Sequence, residues 1–242
     1  MGGGPAAEAT EPTNFRLGRE HGDDSTTGRA ILSVTLIQNA TPTRERRKRS
    51  DGERSRRAIL DAAARLATVE GIDGLSIAGL ADSIGMSKSG LYAHFGSKEE
   101  LQLATIDTAE EVFDADVIAP AMQSDDGLAR AEALCERFLS HVERGVFPGG
   151  CFFASVAAEL DTRPGPVRDR IAAFLAEWGE LIASSLRTAQ GQGELPADAS
   201  VEQLTFELNA MLSQANALFL LEDDGRVFDL ARRAIRERLA RV

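Results

Sequence analysis

Cysteine is scarce, with two residues in 242. A disulfide-stapled scaffold is excluded, and the count fits a reducing compartment. Histidine is also thin: His21, His94 and His141 are scattered, and none has metal-ligand spacing. No Ser-centred elbow, Walker loop or dinucleotide fingerprint occurs. The expectation is therefore a protein that is not an enzyme, with no metal and no cofactor. No apolar run approaches the ~18–20 residues that cross a bilayer. Strand-type alternation and internal repeats are missing as well. Basic charge is in deficit, 27 Lys and Arg against 38 Asp and Glu, a formal net charge of −11. That total argues at first against a nucleic-acid partner. The chain is nonetheless 43% hydrophobic, enough to bury a core.

The total charge hides a segregation. Residues 44–98 hold 11 basic and 7 acidic residues and carry +4. The other 16 basic and 31 acidic residues carry −15. The densest basic cluster is Arg44, Arg46, Arg47, Lys48, Arg49, Arg54, Arg56 and Arg57, interrupted by Glu45, Asp51 and Glu53. A basic segment feeding a small helical module is an electrostatic footprint for a phosphate backbone, or else a solvated arm.

Residues 1–43 are rich in Gly, Thr, Ala and acidic residues and read as a disordered tail without a signal peptide. From Ser50 the pattern becomes helical. Ile59, Leu60, Ala63, Leu66 and Ala67 recur at helical spacing up to Gly71. A short helix follows from about Ser76 to Ile84, then another from Lys88 to Phe95. Ser97-Lys98-Glu99-Glu100 reads as a capping box opening a long helix to about Ile118, ended by Pro120. Five more helices are predicted, over about 128–145, 151–160, 166–189, 201–221 and 227–241. The fold class is all-α: a small N-terminal module and a larger helical body.

Residues 77–96 carry the most specific pattern. Two short crossing helices need a small residue at the contact, which Ala81 supplies. The turn needs a positive φ, which Gly85 supplies. Leu80, Ile84, Met86 and Leu91 fall where the two helices would share a core with the first one. The second of the pair opens Ser87-Lys88-Ser89-Gly90. An N-terminus free of bulk can enter a major groove, and its backbone N–H groups can meet phosphate. Tyr92 and His94 add donors for backbone oxygens, unless they are an ordinary half-buried ring and surface imidazole.

The stretch from Leu75 to Leu101, with its run Leu91-Tyr92-Ala93-His94-Phe95-Gly96-Ser97-Lys98-Glu99-Glu100-Leu101, resembles the DNA-binding domain of the TetR/AcrR family of bacterial transcriptional regulators. The likeness by motif covers about residues 54–104. It implies a cytoplasmic homodimer, each subunit placing its third helix in the major groove of a palindromic double-stranded operator. It implies contacts to phosphate from Ser76, Ser87, Tyr92, His94 and Lys98. Lys88 and Ser89 would lie near base edges, and Gly90 would allow close approach. It also implies a body that binds a small effector and dimerises through its last two helices, usually in a repressor. The family often has a β-branched residue where Gly79 stands, and glycine there loosens the helix by about 1 kcal/mol relative to Ala. The organisation implied is a tail over 1–43, a helix-turn-helix domain over 44–98 and a ligand-binding and dimerisation domain over 99–242.

In the body, Phe138, Phe152, Phe153, Phe174 and Trp178 fall on three successive predicted helices. They are either plain core or the wall of an apolar pocket. The candidate lining set is Phe138, Cys151, Phe152, Phe174 and Trp178. Cys151 starts a helix, a place where a thiol pKa can fall, so a thiol-based electrophile or redox sensor is the alternative reading. Cys135 reads as core. Residues 201–221 are apolar on too many sides for one body to cover, which points to a second subunit, flanked by the Arg-rich last helix. An architectural DNA-binding protein is a further rival class, but it would need neither a pocket nor an acidic body.

Overall fold

In the computed structural model, which describes residues 44–160 and 164–241, the basic run is helical from its start. Helix α1 spans Arg44–Glu70, opening six residues before the predicted Ser50. Arg and Lys are good helix formers, and one interior glycine, Gly52, does not stop them. Gly71, at φ +80°, ends the helix. Then come α2 (Ile77–Ile84), α3 (Lys88–Phe95) and α4 (Lys98–Phe113). The body continues with α5 (Leu128–Glu143), α6 (Phe152–Leu160), α7 (Pro166–Gln192), α8 (Val201–Glu222) and α9 (Arg226–Ala240). Among the described residues there is no strand, and no helix is long and apolar enough to cross a membrane. The predicted tail over 1–43 lies outside the described residues.

Local chemistry sets the helix ends. Ser76, Ser87, Ser97 and Ser200 each accept a hydrogen bond from the backbone N–H three residues on, at 3.0–3.1 Å. The capping box at Ser97 is half made: the Ser97 N–H goes to the Phe95 carbonyl at 2.6 Å rather than to Glu100. Gly85 adopts φ +68° as its turn requires, and Met86 N–H closes back on the Ala81 carbonyl at 2.9 Å.

After Phe113 the chain widens into a π-helical turn, Asp114–Ile118, followed by one short turn, Ala119–Ala121. The expected stop at Pro120 is thus a change of pitch first. The Ala119 N–H reaches five residues back to the Asp114 carbonyl, and Pro120 has no N–H to place in the ladder. The π turn carries Asp116, which accepts from His141 Nδ1 at 2.7 Å and from Arg144 at 2.6 Å. His141 is buried between Phe113 and Phe147. Burial pushes its pKa below the ordinary value even though Asp116 opposes this. Burial pulls the Asp116 carboxyl upward, but the Arg144 and His141 hydrogen bonds outweigh it and hold it low.

Two apolar clusters form. The smaller joins Ile59, Leu60 and Ala63 of α1 to Leu75, Ile77, Leu80, Ala81, Leu91, Phe95 and Leu101, with Ile84 and Met86 packed on it. The larger fills the body and begins with Ala64 and Ala67 of the same α1, and with Ile106, Ala109 and Phe113 of α4. Helices α1 and α4 therefore serve both cores.

The α5–α6 connection seats the body on α1. The Gly149 N–H donates to Thr68 Oγ1 at 3.1 Å, and a Cβ at Gly149 would run into the Thr68 carbonyl. Glu159 of α6 accepts from the N–H groups of Ile72 and Asp73 at 2.7 and 2.9 Å. Gly149→Ala should lower stability by about 1–3 kcal/mol, because backbone rather than a flexible side chain must give way. A urea melt against wild type measures it; an unchanged midpoint would contradict the close approach.

Candidate functional site

Helix α3 buries Leu91 and Phe95 and turns Lys88, Ser89, Tyr92 and Ala93 to solvent. Helical spacing accounts for part of that division: positions 91 and 95 share one face with 89 and 93 opposite, while Lys88 is exposed as the first residue of the helix. Tyr92 is 57% exposed. Ser87 and Ser89 hydroxyls lie 3.4 Å apart at the N-terminus of α3, and Ser87 also caps Gly90. The structure thus brings Ser87, Lys88, Ser89, Gly90 and Tyr92 onto one exposed helix start. Ser76 stands exposed at the start of α2. His94 is half-buried, its ring 6.1 Å from that of Phe95. Lys98 is exposed but already donates from Nζ to the Asp73 carbonyl at 2.6 Å, tying α4 to the α1–α2 turn.

Part of the basic cluster is spent inside the chain. Arg56 lies 5.0 Å over the Phe95 ring. Arg57 pairs with Asp61 and with Glu111 of α4, which raises its pKa. The Arg-rich α9 is likewise engaged: Arg232 bridges Glu136 and Glu143 of α5, Arg238 pairs with Glu207, and Arg241 with Glu237.

The body contains a cavity of about 410 Å³ walled by Phe113, Phe138, Phe153, Phe174 and Trp178, with Cys151 and the α8 residues Asn209 and Asn216. Of the sequence candidates, Phe138, Cys151, Phe174 and Trp178 line it. Phe152 does not. It is buried against Phe147 and Phe153 on the side away from the cavity, because adjacent helical residues point about 100° apart. Phe153 takes the place given to it.

Cys151 is also corrected in character. Burial pushes its thiol up to about 11; the hydrogen bonds from Phe153 and Ala154 at the helix start lower it less. Cys135 is pushed up to about 12 for the same reason. A thiolate sensor needs the opposite environment.

Sequence reasoning missed Asn209 and Asn216. Trp178 Nε1 donates to Asn209 Oδ1 at 2.8 Å, and Cys151 N–H donates to Asn216 Oδ1 at 2.8 Å. Two asparagines seven residues apart share one face of the helix, which is the signal that could have found them.

With the thiols raised and buried, iodoacetamide at pH 7.5 should leave both cysteines of the folded chain unmodified and label both in denaturant. Mass spectrometry reads this directly, and rapid labelling of Cys151 in the native state would restore the sensor reading.

Comparison with known proteins places both halves. Residues 59–105 match the family model described as bacterial regulatory proteins, tetR family. Residues 127–235 match the tetracyclin repressor-like C-terminal domain. The chain is 27% identical to the HTH-type transcriptional repressor AcnR of Corynebacterium glutamicum, over 76% of this chain and 94% of that protein. A TetR transcriptional regulator from Chloroflexus aurantiacus superposes with TM-score 0.72 and 27% identity, covering 77% and 94% of the two chains. AibR, solved with isovaleryl coenzyme A and operator DNA, shares the fold at TM-score 0.60 and 23% identity, covering 74% and 95%. A capped, exposed α3 on a small three-helix core and an all-helical body, matched at both ends by models of one family, make this chain a member of the TetR family of bacterial transcriptional regulators.

Proposed function

We propose that the protein is a repressor that binds a palindromic operator as a homodimer and lets go when a small molecule fills the body cavity. The observation that carries this reading is the double role of α6. One face of that helix walls the cavity through Phe153, Ala154 and Ala157. Its Glu159 meanwhile holds the backbone of Ile72 and Asp73, at the turn that leads into α2. A ligand that displaces α6 therefore moves the DNA-reading end, which is the physical content of coupling between two sites. The repressor name of the Corynebacterium relative and the operator-bound state of AibR support the same reading.

On DNA, Lys88 and Ser89 meet base edges, with Gly90 allowing approach. Ser76, Ser87, Tyr92, His94 and Lys98 meet phosphates. The domain division at residue 98 follows this split of tasks. The dimer face is the outer side of α8 and α9. Leu204, Leu208, Leu212 and Ala215 turn inward, while Phe206, Leu221 and Leu230 are 68%, 82% and 60% exposed. Apolar side chains so exposed need a cover.

Light scattering should give twice 25.9 kDa at micromolar concentration. Lys88→Ala should weaken operator binding by about 1–3 kcal/mol and relax one base position, whereas Lys98→Ala should weaken all sequences alike and reduce the salt slope by about one. Unchanged affinities and slopes in both variants, or a monomer, contradict the reading.

Glu159→Ala leaves the Ile72 and Asp73 N–H groups without their acceptor. Amide exchange at those two residues should rise at least about tenfold and operator affinity should fall, while Trp178 emission stays as in wild type. Exchange at the wild-type rate would mean that Glu159 transmits nothing.

A further inference from the structure

Ser213 and Gln214 on the cavity wall are exposed to water, and the buried polar groups there leave one amide donor without a protein partner. Trp178 Nε1 is taken by Asn209 Oδ1, and Asn209 Nδ2 by the Thr205 carbonyl at 3.0 Å. Asn216 differs. The Cys151 backbone N–H can only donate, so the group facing it at 2.8 Å is the carbonyl oxygen of Asn216. That fixes the amide without ambiguity, and its Nδ2 lies on the other side. Asn216 is only 5% exposed and lines the cavity. Among the described residues, its Nδ2 has no hydrogen-bond partner. A donor on the cavity wall that the protein itself does not engage is available to an acceptor on a bound molecule. The carbonyl half is held where it is by design of the backbone: a Cβ at Gly150 would collide with Asn216 Oδ1.

The rest of the wall sets the ligand's charge. No Asp, Glu, Lys, Arg or His lines the cavity. The Cys151 thiol beside it stays protonated at neutral pH. An ion entering would lose its water with no counter-charge to meet it. Ring faces could still receive a cation, but Phe153 and Phe174 are stacked face to face, with planes 11° apart. Phe113 meets Phe138, Phe153, Phe174 and Trp178 at steep angles, ring on ring. Each of these ring contacts uses aromatic surface that a cation would otherwise meet.

We infer that the effector is an uncharged molecule with an apolar body and one hydrogen-bond acceptor, a carbonyl, ether or hydroxyl oxygen, which Asn216 Nδ2 selects. This rests on the reading of the cavity as the effector site. About 410 Å³ lies at the lower end of small-molecule sites, so a bicyclic skeleton fits.

The chain has a single Trp, and it stands in the cavity wall, so quenching of its emission reports occupancy. The probes are four compounds of one skeleton at pH 7: 1-tetralone, tetralin, 1-aminotetralin as its ammonium ion, and tetralin-1-carboxylate. The ketone should bind roughly tenfold or more tightly than the hydrocarbon and than either ion. Asn216→Asp keeps an acceptor for Cys151 N–H but removes the donor. It should lose the preference for ketone over hydrocarbon and gain affinity for the ammonium ion. A thermal melt followed by circular dichroism shows whether that variant folds; if it does not, the wild-type ratios decide alone. Equal binding of ketone and hydrocarbon, tightest binding of either ion, survival of the ketone preference in a folded Asn216→Asp, or no quenching by the ketone at millimolar concentration each overturns the inference. Operator release is measured separately. Ketone binding that leaves operator affinity unchanged would remove the effector role and leave the ligand chemistry standing.

Discussion

Backbone meets backbone where Gly149 lies on Thr68, and the rest of the arrangement hangs on that contact. No side chain fits between the two strands of chain there. The loop is therefore held to α1 without slack, with a hydrogen bond from its N–H to the Thr68 hydroxyl. One residue on, Gly150 and Cys151 hold Asn216 in α8. A three-residue segment thus touches α1 on one side and the cavity wall on the other. Packed interiors shift between discrete arrangements rather than deforming smoothly, so a tight contact of this kind carries displacement well.

Charge does separate work. The acidic excess lies wholly outside residues 44–98, and a share of it is used in pairing. Glu111 takes Arg57, Glu110 takes Arg170, and Glu136 and Glu143 take Arg232. Such half-exposed pairs add little stability each. None of these pairs involves the exposed start of α3, with Lys88 and the seryl hydroxyls.

Much of the fold was legible because its signals are local. Serine caps act three residues along, Gly85 acts at its own φ, and the apolar spacing of Leu80, Ile84 and Leu91 acts within two turns. The division of α3 into a buried and an exposed side was legible for the same reason. What was not legible involves distance or a small rotation. Phe152 and Phe153 are chemically identical neighbours, and only packing decides which faces the cavity. Asn216 takes its meaning from a backbone N–H 65 residues away. Asp116 meets His141 and Arg144 from within a π turn. The Lys98 tie to Asp73 likewise spans 25 residues.

The sharing of α1 and α4 between two cores bears on how such a protein can diversify. A crossover between genes inside α4 leaves Ile59, Leu60 and Ala63 matched to the small core of their own parent while Ala64 and Ala67 answer to a body from another. On the proposed function, new effector specificity is therefore gained more easily by point changes on α6, α7 and α8, far along the chain from α3, than by exchanging whole modules. The operator would then stay fixed while the signal drifts.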